Sequence, residues 1–293
     1  MNRTWPRLLS TLALGCLALT PVARGSGSEV EQGDAAWKRR GTGFAESGIV
    51  DPRPVTAAVA AYEGALEVEP ESLALHAKLA EALWFAGQFA GADRGETKRA
   101  FERMVQVTDD AVRLVEAAAG IEGAERLVPS ERAARVRSRP GAAEAYFWST
   151  VAWGSWGLSH GYAASARRGV AGRIRGHAET LLALDETFAE AAGPRLLGRL
   201  HAVTPKVPLF TGWIDRKQGL ALLERAHRIA PENARNRLFL AEALWKQAPR
   251  ERGRAIALLR EVVGAPVDVE AIVEQSEIRD QAAARLREYE EQR

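Results

Sequence analysis

From Pro54 onward, apolar residues recur three and four positions apart in a text rich in Ala, Leu, Glu and Arg, the period and composition of amphipathic helices. Alternation with a period of two is almost absent, and so are runs of β-branched residues. Pro70, Pro129, Pro140, Pro194, Pro205, Pro231, Pro249 and Pro266 fall where helices should stop or start, because proline lacks the amide that an interior helical position needs. The pattern predicts an all-α chain with helix pairs at about 55–88, 91–119, 142–184, 188–203, 216–247 and 251–290. Residues 26–53 are glycine-rich, charged and aperiodic, and read as a flexible linker with one short helix at most, ahead of a helical domain over 54–293.

The chain repeats itself. Leu79-Ala80-Glu81-Ala82-Leu83-Trp84 returns unchanged as Leu240-Ala241-Glu242-Ala243-Leu244-Trp245, 161 positions later, and at the same offset Ala65, Pro70 and Glu71 match Ala226, Pro231 and Glu232. Ala58, Tyr62, Ala65 and Pro70, like Gly219, Leu223, Ala226 and Pro231, follow one spacing: small, bulky, alanine, then the proline that ends the helix. Small residues let two helices approach, the bulky one fills the groove between them, and proline stops the helix so that the next folds back. That is the spacing of a tetratricopeptide repeat. A degenerate copy places a turn at 184–188 and the next large-small pair at Leu197-Gly198. Stacked helix pairs are therefore expected, as an α-solenoid or a closed helical bundle.

The amino terminus reads differently. Arg3 and Arg7 precede an apolar run over 8–20, too short for a helix of about 20 residues to span a bilayer, and Ala23-Arg24-Gly25 offers small residues at the positions a signal peptidase reads. Residues 1–25 are thus expected to be a secretory signal peptide cut after Gly25, giving an exported, periplasmic protein. Cys16, the one cysteine, sits after Gly15 in a setting similar to a lipoprotein acylation site, although the apolar run continues beyond it. Either it carries a lipid anchor, the chain's one route to a membrane, or it is removed with the signal. In both cases no cysteine remains for disulfides or metal ligation.

Charge narrows the partners without naming one. With 40 basic and 38 acidic residues the net charge is +2, so no bulk field draws nucleic acid or a membrane surface. None of His76, His160, His177, His201 and His227 has a partner at metal-binding helical spacing, and His76 and His227 read as surface or groove-edge residues. Gly41-Thr42-Gly43 has no strand before it, and Gly154-Ser155-Trp156-Gly157 is not the strained elbow of a serine nucleophile. No catalytic constellation and no cofactor site emerge, and the chain is expected to be no enzyme.

The candidate binding residues are aromatic. Tyr146, Phe147, Trp148, Trp153 and Trp156 crowd one helix, with Trp148 and Trp156 on a shared face and Trp153 to one side. One reading is packing between helices. The other is an aromatic-lined ligand cavity of Tyr146, Trp148, Trp153 and Trp156, joined by Phe210 and Trp213 from the loop after Pro205. Basic residues concentrate over 132–139 and at Arg167, Arg168, Arg173 and Arg175, either as a solvated face or as an entrance attracting an organic anion or an acidic partner.

Ala145-Tyr146-Phe147-Trp148, Ala152-Trp153-Gly154-Ser155-Trp156, the run Ala192-Gly193-Pro194-Arg195-Leu196-Leu197-Gly198-Arg199-Leu200, and Ala221-Leu222-Leu223-Glu224-Arg225-Ala226 leading to Pro231 resemble the T component associated with tripartite ATP-independent periplasmic (TRAP) transporters. The likeness covers 142–247 well and 54–90 more loosely. It implies an exported, often lipid-anchored helical protein with cryptic tetratricopeptide repeats. Such proteins assemble as homo-trimers around a periplasmic solute-binding protein (the TRAP P component), and a channel passes a hydrophobic or organic-acid ligand. The expected function is that of a non-enzymatic accessory protein of TRAP-type uptake; the alternative is a generic tetratricopeptide scaffold for envelope assembly or secretion. The resemblance carries a region and no individual site residue.

Overall fold

The computed structural model describes residues 26–123, 126–208 and 210–292, and among them it is all-helical, with fourteen α-helices and no strand. The expected signal segment 1–25, with Cys16, lies outside the described residues. No helix among the described residues is long and apolar enough to cross a membrane.

Residues 26–53 are not the linker expected. Helix α1 (Ser26–Lys38) packs along α3 (Pro52–Val68), and a short α2 (Phe44–Ser47) follows it. Gly33 makes this possible, since a Cβ there would come within 2.4 Å of the Tyr62 ring. Ala36 is buried beside it, and Tyr62 donates its hydroxyl hydrogen to Asp34 at 2.8 Å. The apolar face of α1 consists mostly of small residues, which hid it from a reading based on large hydrophobic side chains.

Two repeat units match the sequence. Helix α3 turns at Pro70 into α4 (Leu73–Phe85), and α11 (Arg216–Ile229) turns at Pro231 into α12 (Ala234–Gln247). The signature residues Ala58, Tyr62, Ala65, Leu223 and Ala226 are all buried, as are Leu79, Ala80, Leu240 and Ala241 of the repeated hexapeptide. Between these units run α5 (Arg94–Ala118), α6 (Pro129–Val136), α7 (Ala142–His160), α8 (Tyr162–Arg167), α9 (Val170–Leu184) and α10 (Phe188–Val203). The spans 91–119 and 188–203, each expected to hold a helix pair, hold one helix each, α5 and α10. The N-terminus of α5 is a reciprocal cap: Asp93 accepts from the Glu96 amide, and Glu96 accepts from that of Ala92. No glycine or proline interrupts α5 after Gly95, so it packs on α4 and α7 as a single unit.

Helices α13 (Arg252–Gly264) and α14 (Ile272–Glu291) continue the stack and bring it back to its start. Val273 is buried in the same core as Ala36, Tyr62 and Leu79, and Arg40 reaches Glu274 at 2.9 Å. Across the same closure, the Arg235 guanidinium of α12 lies 5.7 Å from the Trp84 ring of α4. Of the two expected arrangements, the structure is the closed one.

Close helix crossings depend on glycine at two positions. A Cβ on Gly198 would meet Leu223 at 2.8 Å, and one on Gly219 would meet His201 at 2.8 Å. This seats α10 directly on α11.

Candidate functional site

Helices α5, α6 and α9, with the loop before α11, surround a cleft of about 1040 Å³ in the middle of the stack. One wall is the start of α9, where Gly169, Gly172 and Gly176 lie three and four residues apart and leave the backbone uncovered. Gly169 has φ +63, a left-handed conformation that suits glycine, and it turns α8 into α9. A Cβ at Gly169 or Gly172 would meet nothing, so the space beside this wall is open.

Three arginines from this wall each lie over a tryptophan. Arg168 sits 4.6 Å from the ring centroid of Trp156, Arg173 sits 4.7 Å from that of Trp153, and Arg175 sits 4.8 Å from that of Trp213. Each contact fixes a flexible side chain against a rigid face and adds a cation–π attraction of about 0.5–2 kcal/mol. Arg175 also bonds Glu179 at 2.8 Å. The described residues place no carboxylate within ion-pair distance of Arg168 or Arg173.

The floor is polar and enclosed. Tyr146 donates to Glu116 at 2.9 Å, Glu116 stands 3.5 Å from Arg132, and the Trp153 indole N–H donates to Asp109 at 3.0 Å. Burial pushes the Asp109 carboxyl above its usual range, and the Trp153 hydrogen bond offsets only part of that. Burial, and then Arg132 and Arg173, press His177 down to about 3, so it is neutral at physiological pH. Its Nδ1 lies 2.9 Å from Ser149 Oγ. Ser149 is fully buried, so this pair orients the imidazole and offers no nucleophile to a bound molecule.

The predicted aromatic residues therefore divide. Trp213 lines the cleft itself. Tyr146, Trp153 and Trp156 are buried behind it and act through Glu116, Asp109 and the stacked arginines. Trp148 packs against the amino-terminal core, with Phe147 at 4.9 Å, and belongs to the helix packing. Phe210 is 63% exposed and does not join the group. Part of the aromatic cluster and part of the basic patch are one structure: Trp156, Trp153 and Trp213 carry Arg168, Arg173 and Arg175.

Other members were missed or misread. Arg113, Asp109 and Glu116 come from α5, and His177 was visible only as a lone histidine. The glycine spacing of α9 was the available signal. Arg137 has a structural role, donating to the last carbonyls of α9, those of Ala183 and Leu184, at 2.7 and 3.0 Å. His76 is buried, with Nδ1 2.9 Å from the Ser72 carbonyl, where a surface or groove-edge position was expected, because its side of α4 faces the helical stack.

A second cleft, of about 830 Å³, lies at the seam between the chain's two ends. Its walls are Phe44, Ile49, Val50, Phe89 and Val273, and its charged residues are Glu277 and Asp280. The central cleft is basic where this one is acidic. Among the described residues, no group of three or more His, Cys, Asp or Glu is placed to hold a metal.

No protein-family model matches the chain, and no curated protein matches it. Among solved structures, the crystal structure of yeast Tom70 matches it with a TM-score of 0.30 and 14% identity, covering 92% of this chain. The chain spans 66% of the length of that protein.

Proposed function

We propose that this protein is a non-enzymatic, periplasmic accessory component of a TRAP-type solute uptake system, which docks a solute-binding protein and passes a hydrophobic or organic-acid ligand. The observation that carries the proposal is the meeting of the two blocks on which the sequence resemblance rests. Tyr146 of α7 and Ala192 of α10 share one buried core, and Phe147 packs 5.8 Å from Phe188. The same α7 supplies Trp153 and Trp156, which support the arginines of the central cleft. The resemblance, the aromatic cluster and the basic site thus occupy one place in the fold.

Export rests on the segment 1–25, and assembly as a trimer rests on the resemblance. The return of α14 to the amino-terminal core favours this reading over a generic scaffold for envelope assembly or secretion. A scaffold of that kind works through an open groove along the repeats. The test is affinity capture from the host's periplasmic extract with the purified protein as bait, read by mass spectrometry. Enrichment of a single solute-binding protein is expected. Capture of outer-membrane or secretion components in its place overturns the proposal.

A further inference from the structure

We propose that the central cleft binds a small organic anion that carries at least two negative charges on an apolar body. The inference deepens the transport reading and rests on the cleft being that protein's ligand site. Charge comes first. Most of the cleft's charges are matched: Arg113 pairs with Asp110, Arg132 with Glu116 and Arg175 with Glu179, which leaves the guanidiniums of Arg168 and Arg173 as the positive groups offered to a ligand. A monoanion meets only one of these two guanidiniums, whereas a dianion meets both.

Geometry supplies the recognising groups. Arg168 and Arg173 face no carboxylate within ion-pair distance among the described residues, and each is held on an indole face. A guanidinium fixed in this way presents its N–H edge with little rotamer freedom left to lose, and that edge matches a carboxylate or a phosphate in a two-point contact. The bare backbone at Gly172 lets the ligand approach the wall between them. The apolar body is accounted for by Val112, Val128 and Trp213 on the other sides of the same space. The volume of about 1040 Å³ suits a compact organic molecule and exceeds what an inorganic ion would fill.

The test is isothermal titration of the purified full-length protein with benzene-1,4-dicarboxylate, phenyl phosphate, benzoate and inorganic sulfate at fixed ionic strength. The first two carry two charges on an apolar body and distinguish carboxylate from phosphate. Benzoate has the body with one charge, and sulfate has the charge without the body. Saturable binding of at least one of the two organic dianions, ten-fold or more tighter than benzoate and sulfate, is expected. Arg168→Gln and Arg173→Gln should each weaken it at least five-fold.

A Cβ on Gly172 would meet nothing within 4 Å, so Gly172→Leu should project into the cleft and abolish binding while circular dichroism is unchanged and the melting temperature does not fall below that of the wild type. Equal affinity for benzoate and both dianions, no saturable heat with either dianion, or full binding by Gly172→Leu would each overturn the proposal. The outcome is separable from the transport reading. Dianion binding without capture of a solute-binding protein leaves the site standing and removes the transporter role. Capture without dianion binding does the reverse.

Discussion

Arg195 and Asn236 meet at 3.2 Å between α10 and α12, and both donate to one carbonyl, that of Glu190. The carbonyl belongs to an unusual turn. Ala189, Glu190 and Ala191 have φ of 45, 55 and 69, so the chain enters α10 through three consecutive left-handed residues, none of them glycine. Each costs roughly 1–2 kcal/mol for an L-residue. Arg195 holds the Ala189 carbonyl as well, and the Asn236 amide also reaches Ala226 and Ala230, tying the turn to the end of α11. Burial, followed by Arg235, lowers Arg195 to about 10, which leaves it charged at neutral pH.

Replacing Asn236 should therefore loosen two elements together. Asn236→Ala removes the amide that serves three carbonyls, and Asn236 is wholly buried, so the orphaned acceptors gain no water. A loss of about 2–4 kcal/mol is expected in chemical denaturation. Hydrogen exchange should accelerate first around residues 188–192. A loss under about 1 kcal/mol would mean that the turn is held by something else.

Two glycine-to-alanine changes should have opposite signs. Gly172→Ala adds a methyl into open space on a helix and should stabilise by roughly 0.5–1 kcal/mol. Gly198→Ala drives a methyl to 2.8 Å from Leu223 and 3.1 Å from the Gly219 carbonyl, where backbone stands in the way. It should cost roughly 1–3 kcal/mol by forcing α10 and α11 apart. Melting temperatures of the two variants measured side by side give the contrast directly.

The repeat was legible because its signals are local and chemical. Pro70 and Pro231 end helices wherever they sit, and Ala58, Tyr62 and Ala65 share a face by spacing alone. Helix α1 was not legible, since Gly33 and Ala36 gain their meaning only from Tyr62, on another helix. The same holds for the site. Trp153, Trp156 and Trp213 could be named from sequence, but that each supports an arginine depends on how α7, α9 and the loop at 204–215 pack. Phe210 shows the converse, an aromatic residue beside Trp213 in sequence that the fold leaves exposed.

The closure of the chain on itself should be measurable as a coupling. Arg40 and Glu274 are 2.9 Å apart, and their side chains are only 12% and 15% exposed. A double-mutant cycle of Arg40→Ala and Glu274→Ala should give about 1–3 kcal/mol of interaction energy. An open superhelix in solution would give none, because its two ends would never meet.

The repeated hexapeptide sets up an internal comparison of one residue in two environments. Glu81 and Glu242 occupy the same position of Leu-Ala-Glu-Ala-Leu-Trp, on α4 and α12. Burial raises both carboxyls. At Glu242, Arg199 and Arg285 outweigh burial, with Arg285 bonded at 2.7 Å, and the group ends below its usual range. At Glu81, Arg40 and Lys78 do not outweigh burial and the nearby Glu274, and the group ends above it. The signs follow from linkage. Glu242 contributes stability that is complete above the unfolded carboxyl range and is lost as pH falls through its lowered folded value. Glu81 carries a penalty that is absent in acid and grows as pH rises through its raised folded value. Glu242→Gln should therefore cost roughly 2–3 kcal/mol at pH 7, with the difference from wild type shrinking toward pH 3. Glu81→Gln should be more stable than wild type at pH 7 and indistinguishable from it near pH 4. Urea denaturation of both variants between pH 3 and 7 checks the pair. Parallel curves would show that the two glutamates share one environment, against the geometry of Arg199, Arg285 and Glu274.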